Sequence, residues 1–155
     1  MSRIIDLPEM ERRGNLARNA IRYVLTGMGH APDFPTRFSV DPITYDESDV
    51  VTPACFDLNR EPPTIMVALG DVAFSLLWGN LCPAPDISAV YAGAHEATHA
   101  GQWLVGRLHP GEGGLIATAR NPAEHYKKPL EKEALAWSIR AVRFLLDLPD
   151  FEVTP

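Results

Sequence analysis

The chain has 155 residues, 46% hydrophobic and 22% charged, enough for one domain with its own core and no disulfide support. A net charge of −6 excludes the clustered basic footprint that phosphate backbones require, so no nucleic-acid partner is expected. No run nears the ~18 apolar residues of a membrane span, no apolar signal segment follows Met1, and only Cys55 and Cys82 carry thiols, so a cytoplasmic protein without membrane contact is expected.

Asp6 is placed to cap a first helix, with Pro8 in its first turn and Leu16, Ala20, Tyr23 and Val24 at helical spacing up to about Gly27. Arg12, Arg13, Arg18 and Arg22 read as its solvated face. From Pro32 to Pro63, prolines and acidic residues alternate with short β-favouring runs at 37–40, 43–45 and 55–58, which predict a small irregular antiparallel sheet. Residues 64–69, short, apolar and ended by Gly70, form the clearest strand and are expected at a sheet edge, able to hold a peptide by strand addition. Asp71 is expected to cap a short helix to Trp78, and Asp86 a long one over 87–105. A glycine-rich loop spans 106–128, Pro129 opens a last helix to Leu146, and the tail 147–155 is acidic. With no repeat and no linker, residues 1–155 read as a single α+β domain.

The long helix carries His95-Glu96-Ala97-Thr98-His99, an HExxH pattern. Residues four apart on a helix differ by only about 40° around the axis, so His95 and His99 share a face and their imidazoles can converge on one zinc ion. Glu96 lies beside that face, within reach of a zinc-activated water as general base without being a ligand. A third protein ligand is required. The metzincin continuation is excluded, because Gln102 stands where its glycine belongs and Val105 where its third histidine belongs. Pro129-Leu-Glu131-Lys-Glu133-Ala134, opening the last helix, offers acidic candidates.

These motifs resemble those of the gluzincins, especially the small minigluzincins and the metallopeptidase-like domains of phage and bacterial proteins, over residues 60–145. The resemblance implies a zincin-like α+β fold, with the HExxH helix beneath a sheet and a C-terminal helix supplying the third ligand. It implies a metallopeptidase hydrolysing peptide bonds of a peptide or protein substrate. In the family pattern Glu131 is the ligand rather than Glu133, and the helix dipole also favours a carboxylate in that first turn. Glu133, about 200° away around the helix, reads as solvated or capping. Leu135 departs from the pattern, which has an acidic residue there to brace a zinc-bound histidine, and leaves the bracing group unassigned. By the same resemblance Tyr126, with His125 second, is the candidate donor to a developing oxyanion.

Other readings stand beside this one. Ala100, Trp103 and Leu104 resemble SprT-like proteases, in which His109 would be the third ligand. A domain of zincin fold could also bind partners and cleave nothing. Gln102, on the His99 face, could orient a ligand, contact substrate or pack as a plain polar residue; Trp103 and Trp137 are expected to pack. The tail 147–155 could fold back over the cleft as a self-inhibitory segment.

Overall fold

The computed structural model describes residues 5–44, 51–78, 84–108 and 128–153. Helix α1 spans Leu7–Gly27, and the Glu9 amide donates to Asp6 Oδ1 at 2.9 Å, the expected cap. Its buried stripe of Ala17, Ala20, Ile21, Val24 and Leu25 faces the core. The arginine face is not wholly solvated. Arg13 is buried, donating to the Leu69 carbonyl at 2.7 Å and pairing with Asp71 and Glu9, so it ties α1 to the far end of a strand.

Five short strands follow: β1 (Thr36–Ser39), β2 (Ile43–Thr44), β3 (Val51–Thr52), β4 (Ala54–Asp57) and β5 (Thr64–Ala68). They form a three-stranded sheet of order β1-β5-β4 and a separate antiparallel β2-β3 ribbon. The sheet is mixed, not antiparallel: β4 runs antiparallel to β5, with Phe56 opposite Ile65, but β1 runs parallel, with Phe38 opposite Val67. Chain direction is decided by the connections, here a detour through the ribbon, and no residue pattern within the strands encodes it. The strand expected at an edge is central. Thr64, Ile65, Val67 and Ala68 are all buried, as an apolar run without alternation requires when both faces are covered.

Helix α2 (Asp71–Trp78) begins at Asp71 itself; the position before it is Gly70, where a Cβ would collide with the Val40 carbonyl. Helix α3 (Pro85–Leu104) likewise starts earlier than its expected cap. Pro85 takes the first helical position, which leaves Asp86 in the first turn, where it pairs with Arg12 of α1. From Ser88 to Gln102 every residue of α3 is buried, because α1, β4, β5 and the last helix, α4 (Pro129–Leu145), all lie against it. α1 comes close at Gly93, where a Cβ would stand 2.6 Å from the Ala17 carbonyl oxygen. Helix α4 buries Glu131, Ala134, Ser138, Ala141 and Val142, a helical stripe that begins with a carboxylate. Among the described residues no helix is long and apolar enough to cross a membrane.

Candidate metal centre

The i, i+4 spacing on α3 sets the His95 and His99 rings 5.0 Å apart, centroid to centroid, and both are buried. Tyr91, one turn earlier, stacks on His95 at 6.2 Å. From α4, the Glu131 carboxylate straddles the pair: Oε2 lies 3.1 Å from His95 Nε2 and Oε1 lies 3.0 Å from His99 Nε2. One donor atom from each residue falls within 4.8 Å of the others, so this buried His-His-Glu group could hold a metal ion. Glu131 thus lies against both imidazoles, its two oxygens each within ion-pair distance of one ring nitrogen.

The charges fit as well. Glu96 and Glu131 are only 5% and 3% exposed, so with neutral imidazoles the group carries two buried negative charges. Buried carboxylates demand a partner cation or a proton. Without a metal ion, the pull of these carboxylates on a proton is felt at His99. Burial opposes its charge, but contact with Glu131, the charges of Glu96 and Glu131, and Gln102 together outweigh burial and raise its pKa to about 9. A divalent cation would meet the same demand with a set of two imidazole nitrogens and a carboxylate, a donor set that zinc accepts.

Gln102, fully buried one turn past His99, fills the bracing position that Leu135 cannot; Leu135 packs on the core instead. Gln102 Oε1 lies 2.8 Å from His99 Nδ1. Its Nε2 donates to the Leu130 carbonyl at 2.9 Å and to Glu133 Oε1 at 3.1 Å. Arg107 closes the chain of contacts, donating to both Glu133 oxygens at 3.0 and 3.1 Å. Glu133 is therefore neither a cap nor a free surface group. It is held by Gln102 and Arg107, whereas Glu131 is the carboxylate grouped with the histidines. In the sequence, only the placement of Gln102 three residues beyond His99 hinted at this; Arg107 lies in a stretch that reads as loop.

Of the residues expected at the site, His95, His99, Glu131 and Glu96 come together, whereas Tyr126, His125 and His109 lie outside the described residues. Trp103 packs against Phe34 and Phe56, and Trp137 against Tyr23, as expected of core aromatics. Cys55 on β4 was not expected near the site. Burial raises its thiol pKa, and the Glu96 charge raises it further, while β4 itself packs on α3. The tail is tied elsewhere: Arg143 donates to the Phe151 carbonyl at 2.8 Å. That anchor is about 18 Å along α4 from Glu131 at 1.5 Å per residue. No family model, curated protein or solved structure matches the chain.

Proposed function

We propose that the protein is a zinc-dependent metallopeptidase of zincin-like fold, with His95, His99 and Glu131 as metal ligands and Glu96 as general base. The observation that carries this reading is the convergence of the three donor groups within 4.8 Å, with a fourth buried carboxylate, Glu96, on the same helix. A zinc ion in this group would polarise a scissile carbonyl and acidify a water beside it. Glu96 would take a proton from such a water and return it to the leaving amine, a role open to it because it stands one residue, about 100° of helix, from the ligand face. A purely structural metal site would have no use for Glu96 there, which favours an enzyme over a binding protein of the same fold. Glu131 is the third donor that the described residues bring to the two histidines, which supports this reading over one with His109, a residue outside them.

The substrate strand must also move from its expected place. β5 has neighbours on both sides, so its backbone groups are taken; among the described residues β4 stands at the sheet edge and lies against α3. An extended peptide would have to add to an edge of the described sheet rather than to β5.

The test is Glu96→Gln, which keeps shape and hydrogen bonding but removes the base. Zinc content, read by elemental analysis, is expected to stay at one per chain while hydrolysis of a casein or peptide-library substrate falls at least a hundredfold, the usual scale for a lost general base. Hydrolysis at the wild-type rate in this variant would overturn the role of Glu96. A wild-type protein that binds zinc and cleaves nothing would favour the binding-protein reading.

A further inference from the structure

Gln102 makes three directed contacts, and their pattern fixes which way its amide points. Leu130 offers a carbonyl, and Glu133, paired with Arg107, an ionised carboxylate; both are acceptors only, at 2.9 and 3.1 Å. An inverted amide would press its oxygen against two acceptors, so the NH2 faces them and the oxygen faces His99 Nδ1 at 2.8 Å. That oxygen can only accept. His99 must therefore carry a hydrogen on Nδ1, and in the neutral ring this leaves the Nε2 lone pair free, the nitrogen that faces Glu131 at 3.0 Å.

We infer that Gln102 is the positioning residue of this centre: held by Glu133 and Arg107, it selects the His99 tautomer that binds metal through Nε2 and couples the two ligand-bearing helices. The inference rests on His95, His99 and Glu131 being the metal ligands. The coupling follows from the second contact. Leu130 directly precedes Glu131, so the amide that orients the α3 ligand also grips the peptide unit joined to the α4 ligand. Glu133 and Arg107 hold the amide from the solvent side, Arg107 being about half exposed. An amide brace differs from a carboxylate brace in adding no negative charge behind the imidazole, which suits a site that already buries two carboxylates.

The test measures zinc affinity by competition with a chromophoric chelator, together with the proton spectrum of the zinc-loaded protein. Wild type is expected to show a low-field, slowly exchanging His99 Nδ1–H signal. Gln102→Leu, of similar size but without the contacts, is expected to lose that signal and to bind zinc roughly 10–100-fold more weakly, the scale for outer partners of metal ligands. A merely structural role would lower the melting temperature and leave signal and affinity alone.

Should Gln102→Leu not fold, Gln102→Glu and the pair Gln102→Glu with Glu133→Gln decide. The single change sets two acceptors against each other and is expected to weaken zinc binding at least tenfold. The pair restores a donor opposite an acceptor at position 133 while the Leu130 contact stays lost, and is expected to recover at least threefold of the affinity that the single change costs. Wild-type affinity in Gln102→Leu or Gln102→Glu, or a pair no better than its single parent, would overturn the inference while leaving the ligands standing. Absence of zinc binding by the wild type would instead overturn the ligand reading on which it rests.

Discussion

His99 concentrates the electrostatics of the site in one side chain. Its pKa of about 9 in the metal-free protein exceeds the ordinary 6.5, because contact with Glu131 and the charges around it overcome the burial that opposes protonation. A folded-state pKa above the unfolded one means the protonated form favours folding. That contribution is fully present below about pH 6.5 and is lost as pH rises through 9. Metal uptake has the opposite sign, since the ion must displace the proton. Two titrations check this: the urea midpoint of chelator-treated protein is expected to fall from pH 6.5 to 9, while zinc affinity rises over the same range. A zinc affinity independent of pH across that range would exclude His99 as a ligand.

At the scale of elements, the site depends on how α1 presses α3 into place. Gly93 makes that crossing possible, because the Ala17 backbone occupies the space a Cβ would need, at 2.6 Å from its carbonyl oxygen. Gly93→Ala would gain helix propensity of about 1 kcal/mol, yet a backbone clash cannot relax as a side chain can, and a net destabilisation of about 1–3 kcal/mol is expected. Gly101→Ala is the internal control. Its Cβ would meet the flexible end of Met28, at 2.7 Å, so urea denaturation is expected to show a smaller loss, or none. Equal losses in the two variants would mean that the α1–α3 crossing yields more easily than its backbone contact implies.

At the scale of the whole molecule, the donor set draws on two helices distant in sequence, α3 and α4, so metal binding and the packing of those helices are linked. Zinc at a hundred times its dissociation constant is expected to stabilise the folded protein by about 2.7 kcal/mol. For a domain of this size that is a rise of several degrees in melting temperature, at roughly 2–4 °C per kcal/mol. Calorimetry with and without a chelator reads it directly, and an unchanged transition would mean that the three side chains hold no zinc.

Much of this architecture is legible in the chain. Asp6 with Pro8, Pro129 with Glu131, and the i, i+4 histidines act within one or two helical turns, where capping, fixed φ and periodicity are local properties that residues carry with them. The spacing of His95 and His99 determined that their imidazoles share a face, and Glu131 at a helix start was a candidate on the same local grounds. Only the tertiary structure decided the remainder. The apolar run of residues 64–69 reads equally well as edge or centre until its neighbours are known, and β1 and β4 took both of its sides. Asp86 looked like a cap, but with Pro85 starting the helix and Arg12 near, an ion pair across helices claimed it. Glu131 and Glu133 are likewise told apart only in three dimensions. Both are carboxylates in one helical turn, and what separates them is that Gln102 and Arg107, from another element, hold one and leave the other against two histidines.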